Sequence, residues 1–276
     1  MSPHLISILL LLVAITSIQA GASLAKSLFP LVGAPGATAL RLTFAALMLI
    51  GFWRPWRARL RPQELRNVLI YGVSLGLMNL WFYLALERLP LGITVALEFT
   101  GPLSVTLFSS RKPLDFLWAS LAAIGILLLL PVSPLGTRLD PIGVAYALGA
   151  GACWGIYIVF GQRSGATIHG GVATSLGMGT AALVAVPVGV ARAGNRLFNF
   201  SLIPVALAVA FLSSALPYSL EMVALKRLPR KTFGILMSLE PAVAAILGLL
   251  FLSEHLGATQ WMAIACVVVA SLGSVT

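Results

Sequence analysis

The feature that most constrains this chain is a series of ten long apolar runs that leaves only short connections between them. A helix needs about 20 residues to cross the hydrocarbon core of a bilayer. Apolar residues make up 59% of the 276 residues and charged residues only 9%, which is too little polar surface for a soluble domain. We therefore predict an all-α integral membrane protein with ten transmembrane helices. The predicted spans are residues 5–25, 36–53, 67–86, 91–110, 114–132, 141–161, 171–190, 201–224, 232–252 and 257–275.

The first run has a second interpretation as a signal peptide, because residues 18–20 precede Gly21 in a sequence suited to cleavage. Residues 1–4 carry no lysine or arginine, however, whereas signal peptides begin with a basic segment. We expect an uncleaved first helix that belongs to the bundle.

Basic residues occur in short bursts between the apolar runs, which is typical of a membrane protein and not of a nucleic-acid-binding protein. With a cytoplasmic N-terminus, the cytoplasmic connections hold twelve lysines and arginines and the outer connections hold five. Cytoplasmic loops are enriched in these residues. The asymmetry predicts that both termini are cytoplasmic, and no nucleic-acid partner is expected.

Internal similarity relates the two halves of the chain. Residues 85–90 (ALERLP) recur at 224–229 (ALKRLP), an offset of 139 residues that also aligns Ser74 with Ser213 and Pro102 with Pro241. The pattern predicts two five-helix units, residues 1–136 and 137–276, within one membrane domain. Because five is odd, the second unit enters the membrane from the opposite side. Inverted-topology repeats are typical of secondary transporters, which bind substrate near the midplane between the repeats.

Several segments resemble the EamA branch of the drug/metabolite transporter superfamily of bacterial inner membranes. The similarity extends from residue 5 to residue 275, and the segments that carry it are 21–36, 90–92, 96–102, 149–154, 215–221 and 238–241, followed by Gly248 and Glu254. The resemblance implies a ten-helix 5+5 fold and efflux of small metabolites, here small neutral amino acids of the threonine and homoserine type.

Three glutamates, Glu98, Glu221 and Glu240, lie within predicted spans, where a carboxylate is costly unless it faces a polar cavity or a partner. The 139-residue offset aligns Glu98 with Met237, which is three residues before Glu240. Residues three apart are neighbours on a helix, so the two glutamates should lie on the same face of equivalent helices. Each is followed by a proline, Pro102 or Pro241, so we expect both helices to be irregular there. Burial penalises the charged form of a carboxyl group, which makes Glu98 and Glu240 the candidates for proton coupling. A purely structural role in helix packing is the alternative.

The predicted substrate site combines these glutamates with polar and aromatic side chains that share helix faces. Glu98 is the predicted partner of the substrate ammonium group. Arg41 is the one basic residue inside a span, and two roles are open for it: its guanidinium reaches the headgroups from the outer end of helix 2, or it meets a substrate carboxylate. The predicted substrate-binding residues are Gln19, Asn79, Tyr83, Glu98, Trp154, Tyr157, Tyr218 and Glu221.

An enzyme is not expected, because the sequence lacks a recognisable catalytic set, and no metal or cofactor is expected. The predicted partners are a small amino acid, protons and the lipid bilayer. We expect an exporter in the inner membrane that works by proton antiport with alternating access at a midplane cavity. The alternatives are an exporter of a different drug or metabolite and a passive facilitator.

Overall fold

The computed structural model describes residues 3–109, 114–129, 139–217, 220 and 236–275, and the regular structure in these ranges is helical. The helices are α1 (Pro3–Lys26), α2 (Phe29–Trp53), α3 (Pro62–Leu86), α4 (Leu91–Glu98), α5 (Thr100–Ser109), α6 (Leu114–Leu129), α7 (Pro141–Thr167), α8 (Gly170–Ala193), α9 (Ile203–Ala210), α10 (Glu240–Leu252) and α11 (Ala258–Val275). Short 3₁₀ turns occupy Pro55–Arg57, Gly194–Phe198 and Phe200–Leu202, and α9 continues as a π-helical turn over Phe211–Ala215.

The helices have the lengths and composition of membrane spans. Within the described ranges, α1, α2, α3, α7 and α8 are each long and apolar enough to cross a bilayer, and shorter apolar helices cover residues 91–105, 200–215, 240–252 and 258–270. The prediction of an all-α membrane protein is confirmed. The count of ten crossings stays a prediction.

Helix packing relates the two halves of the chain. The helices α2 and α8, which correspond to each other in the predicted repeat, pack side by side, as do α4 and α10. The helix α3 packs against α7, and their counterparts α9 and α1 also pack together. Each of these interfaces therefore contains one helix from each predicted unit. The packing brings six helices around one centre, namely α1, α2, α3, α4, α9 and α10.

Glycines allow the closest helix contacts. An ideal Cβ on Gly76 of α3 would lie 2.9 Å from the carbonyl oxygen of Ala181 on α8. Where α5 crosses α7, a Cβ on Gly101 would overlap the carbonyl oxygen of Gly151. Small residues at such crossings let helix backbones approach closely.

The irregularity predicted beside the two prolines is confirmed. The helix α4 ends at Glu98 and α5 begins at Thr100, while Ser238 and Leu239 form a turn before α10 begins at Glu240. Proline lacks a backbone N–H group, so the carbonyl four residues earlier loses its helical donor. The two breaks therefore fall at equivalent points of the predicted repeat.

The helix α2 contains a kink close to the predicted start of the span at residue 36. A short helical segment from Phe29 meets the main helix at Gly33, whose φ of 70° and ψ of 168° are non-helical and favour glycine. Arg41 lies beyond this kink, eight residues after Gly33 and about 18 Å along the helix from Trp53. The Arg41 side chain is buried, at 5% exposure, and its role stays a prediction.

Candidate functional site

Polar side chains from six helices meet where α4 and α10 are interrupted. On one side of this centre, Gln19 of α1 donates a hydrogen bond of 3.0 Å from Nε2 to Oε1 of Glu240 at the start of α10. Both side chains are buried, at 2% and 4% exposure. The bond connects the first helix of one predicted repeat with the interrupted helix of the other.

Glu98 is the last residue of α4 and is also buried, at 7% exposure. Its carboxyl group interacts electrostatically with Glu240 and with Arg41. Its backbone carbonyl, which Pro102 deprives of a helical donor, lies against Gly151 of α7, where an ideal Cβ would come within 2.6 Å of that oxygen. The break in α4 and the glycine on α7 together place the Glu98 side chain at the centre.

Arg41 of α2 is held by the π-helical turn. Its Nη2 donates to the carbonyl oxygen of Ser213 at 3.0 Å, and its Nε donates to Oγ of Ser214 at 3.3 Å. Its Cζ atom lies 5.3 Å from the centre of the Tyr83 ring, in cation–π geometry. Single-turn π segments inside helices are frequent at functional sites, and this one brings two serines to a buried cation.

Tyr83 and Asn79 occupy one face of α3, a helical turn apart. The Tyr83 ring is fully buried and packs against Phe29, with ring centres 5.7 Å apart. Asn79 is buried and donates from Nδ2 to the carbonyl oxygen of Leu75 at 2.8 Å. That bond leaves the Asn79 side-chain oxygen available as an acceptor.

Several buried polar atoms at this centre have no hydrogen-bond partner. The described part of the chain has five such side-chain atoms, and three of them belong here; Ser164 Oγ lies elsewhere, and Ser213 Oγ lies against Gly21 of α1. Burying an unsatisfied polar group costs about 1–3 kcal/mol, and folded proteins contain few of them. A polar ligand or water at this place would satisfy them. The three atoms are Gln19 Oε1, Tyr83 Oη and Glu240 Oε2.

The structure thus brings Gln19, Asn79, Tyr83, Glu98 and Glu240 to one centre. Trp154 of α7 is half-buried beside it and packs edge-on against Phe99, the residue after Glu98, with ring centres 5.5 Å apart. Tyr157 is half-buried farther along α7, where it stacks on Tyr71 at 4.9 Å, about 12 Å along α3 from Asn79. The other two predicted residues, Tyr218 and Glu221, lie outside the described residues.

Sequence reasoning missed the partnership of Arg41 with Ser213 and Ser214. The alignment of Ser213 with Ser74 was visible in the repeat, but nothing in the pattern indicates a π-helical turn. Metal binding finds no support in the part of the chain that the structure describes, where no three histidine, cysteine, aspartate or glutamate side chains form a metal-binding group.

Two ion pairs lie at the helix ends on one side of this centre. Lys26 Nζ, at the end of α1, is 2.5 Å from Glu254 Oε1 in the connection after α10. The other carboxylate oxygen, Oε2, accepts a 2.7 Å hydrogen bond from the backbone N–H of Leu91 at the start of α4. One carboxylate therefore joins α1, α4 and the α10–α11 connection.

The second pair joins Arg88, after α3, to Asp140, the N-cap residue of α7, at 2.7 Å. The Arg88 guanidinium and the backbone N–H of Ile142 hold the pKa of the Asp140 carboxyl group below its usual value. Both charged side chains are substantially exposed.

The sequence of this chain is similar to a known transporter family and to curated proteins from two bacteria. The sequence profile of the EamA-like transporter family matches residues 141–276. The threonine/homoserine exporter RhtA of Escherichia coli (strain K12) is 57% identical over 272 residues, which cover 99% of this chain and 92% of the relative. The protein of the same name from Salmonella typhimurium (strain LT2) is 55% identical over the same coverage.

A solved crystal structure covers 97% of this chain and 94% of its own, with a TM-score of 0.57. Sequence identity to that protein is 20%, so the likeness concerns the fold alone.

Proposed function

The chain belongs to the EamA-like transporter family, and we propose that it exports small neutral amino acids, of the threonine and homoserine type, from the bacterial cytoplasm. It is a multi-pass membrane transporter and not an enzyme. The names of its curated relatives support the amino-acid substrate. Its long apolar helices support location in a membrane, and the bacterial inner membrane is part of the proposal.

The observation that carries the proposal is the set of unpartnered polar atoms beside two buried carboxyl groups and a buried guanidinium. An amino acid is a zwitterion with an ammonium group that needs an anion or acceptors and a carboxylate that needs donors. A site without water must supply both. The centre offers acceptors on Gln19 and Glu240 and a hydroxyl donor on Tyr83, so its chemistry suits this class of substrate.

In the proposed site, Glu98 binds the ammonium group of the substrate. Asn79, Tyr83 and Gln19 line the site as hydrogen-bonding walls, and Trp154 and Tyr157 form an aromatic wall on α7. Tyr218 and Glu221 complete the proposed substrate-binding set. The unpartnered oxygen and hydroxyl groups of the described members support these roles because a bound substrate would satisfy them.

Export is driven by exchange for protons. Glu98, or Glu240 across the site, takes up a proton from outside when the substrate leaves and releases it inside when the next substrate binds. The inward proton gradient then drives efflux. The burial of a carboxyl group beside each helix break supports this coupling, because each group can bind and release a proton inside the protein.

Alternating access follows from an inverted 5+5 repeat of residues 1–136 and 137–276, with ten spans and both termini in the cytoplasm. The equivalent helix pairs and the equivalent breaks at Pro102 and Pro241 support this arrangement. The distribution of basic residues supports the orientation.

Transport into inside-out membrane vesicles with an acidic interior tests the proposal. Wild-type protein should accumulate labelled threonine and lose accumulation when the proton gradient is dissipated. Glu98→Gln, a near-isosteric change, should abolish gradient-driven accumulation at normal protein levels. Glu87→Gln is the matched control, because Glu87 is exposed beyond the end of α3.

The outcomes distinguish the alternatives. Gradient-driven accumulation of threonine by the Glu98→Gln variant would show that Glu98 is neither the essential ammonium partner nor the proton carrier. Wild-type transport that ignores the gradient would make the protein a passive facilitator. Inserted wild-type protein that moves neither threonine nor homoserine would favour a drug or metabolite exporter with a different substrate.

A further inference from the structure

Resting on the proposed amino-acid export, we propose that Arg41 binds the α-carboxylate of the substrate and thereby selects amino acids over amines. This role makes Arg41 a specificity-determining residue opposite the proposed ammonium partner Glu98.

The first argument is the burial of Arg41. Its side chain is 5% exposed and is enclosed by Tyr83 of α3 and the π-helical turn, so its charge is removed from solvent. A buried guanidinium is costly unless an anion compensates it. Its two described hydrogen bonds, however, go to neutral oxygens of Ser213 and Ser214.

The second argument is the relation between Arg41 and Glu98. The two side chains interact electrostatically, yet the ion pairs found among the described residues are only Lys26–Glu254 and Arg88–Asp140. Arg41 and Glu98 are therefore both buried in this part of the bundle and form no ion pair with each other. A buried cation and a buried anion held apart in this way complement the carboxylate and ammonium groups of a zwitterion.

The third argument is the geometry of the guanidinium. A guanidinium has five N–H donors in a rigid fork, and Arg41 uses two of them within the described structure, one on Nε and one on Nη2. The Tyr83 ring lies against the guanidinium group and restricts its orientation. The remaining donors can bind both oxygens of a carboxylate, which is the pairing that arginine favours. The unpartnered Tyr83 hydroxyl adds another donor at the same place.

Counterflow in proteoliposomes tests this assignment, with unlabelled threonine inside and labelled threonine outside. Homoserine should compete with labelled threonine, whereas threonine amide and threoninol, which lack the carboxylate, should compete at least tenfold more weakly. Arg41→Gln should weaken the apparent affinity for threonine roughly tenfold to hundredfold, the effect of losing hydrogen bonds to a charged group. Arg41→Lys keeps the charge without the fork and should lose less.

Arg163→Gln is the matched control, because Arg163 also packs over an aromatic ring, that of Phe160, but is exposed. Its affinity for threonine should equal that of the wild type. A folded Arg41→Gln protein with wild-type affinity would overturn the assignment. Equal competition by threoninol against the wild type would overturn it as well, and that measurement needs no folded variant.

Failure of the proposed function gives a different result. Wild-type proteoliposomes that exchange neither threonine nor homoserine would overturn the export proposal and the Arg41 assignment together. Failure of the Arg41 assignment alone leaves wild-type exchange intact.

Discussion

Gln19 and Glu240, 221 positions apart in the chain, share a buried hydrogen bond of 3.0 Å that joins α1 to the start of α10. Each also keeps one oxygen without a partner, Oε1 of Gln19 and Oε2 of Glu240. The pair therefore holds two helices together and still presents acceptors to the centre of the bundle. These two properties can be separated by substitution.

Glu240→Gln should fold and keep the bond, because the new amide retains an oxygen that accepts from Gln19 Nε2. It removes a group that can bind and release a proton. We expect gradient-driven accumulation to fall at least tenfold while counterflow of labelled for unlabelled threonine persists. Wild-type accumulation by this variant in inside-out vesicles would exclude Glu240 from proton coupling.

Glu240→Ala leaves the Gln19 amide without its buried partner. The free energy of unfolding should fall by about 1–3 kcal/mol, the cost of leaving a buried polar group unsatisfied. Thermal denaturation in detergent, compared between the alanine and glutamine variants, measures the difference. Equal stability of the two variants would show that the bond contributes little to holding α1 and α10 together.

Gly101→Ala should destabilise the crossing of α5 and α7, because its Cβ would overlap the Gly151 carbonyl oxygen. Added volume in a close-packed interface costs about 1–3 kcal/mol and sometimes more. Transport should fall too, since the same crossing positions Glu98. Gly165→Ala on α7 is the control, because no atom lies within 4 Å of the added Cβ. A Gly101→Ala protein as stable as the Gly165→Ala protein would contradict the close approach of the two helices.

The contact between Lys26 and Glu254 should show energetic coupling. A double-mutant cycle with Lys26→Met and Glu254→Gln isolates the ion pair, because the glutamine can still accept from the Leu91 N–H group. We expect a coupling energy of about 1 kcal/mol in thermal or chemical denaturation, since the pair is only partly buried. Glu254→Ala should destabilise more, because it also removes the acceptor at the start of α4. If the effects of the two single substitutions on stability were additive, the Lys26–Glu254 ion pair would not stabilise the fold.

The Arg88–Asp140 contact predicts a pH-dependent contribution to stability. Because the pKa of Asp140 is lowered in the folded protein, its contribution is present above the unfolded pKa of about 3.9 and is lost as the pH falls through the folded value. Asp140→Ala should therefore lower the melting temperature at pH 7, and the difference from wild type should shrink in acid.

Asp140→Asn separates the ionic part of this effect from the helix cap. Asparagine can still accept from the Ile142 N–H group, so its melting temperature at pH 7 should lie between those of the wild type and Asp140→Ala. If the difference in melting temperature between the wild type and Asp140→Ala grew on acidification, the ionised Asp140 carboxyl group would not be the stabilising form.

Local features of the sequence were sufficient to predict a membrane protein and to predict the helix breaks beside Pro102 and Pro241. Long apolar runs require helices because a bilayer offers no water to backbone polar groups. Pro102 and Pro241 disrupt the helix wherever they occur in it, because the missing N–H group is a property of the residue itself. The sequence also predicted that Glu98, Glu240, Gln19, Asn79 and Tyr83 are candidate site residues, since polar side chains in apolar spans are conspicuous.

The tertiary structure decided which of these side chains meet. The Gln19–Glu240 bond and the contact of Arg41 with Ser213 and Ser214 connect distant parts of the chain. Such contacts depend on helix crossing positions, on the kink at Gly33 of α2, and on the π-helical turn of residues 211–215. Residue spacing specifies the face of a helix, but packing between helices determines what that face contacts. The physical reason is that side-chain period is a local property, whereas the depth and partners of Arg41 arise only when the whole bundle is assembled.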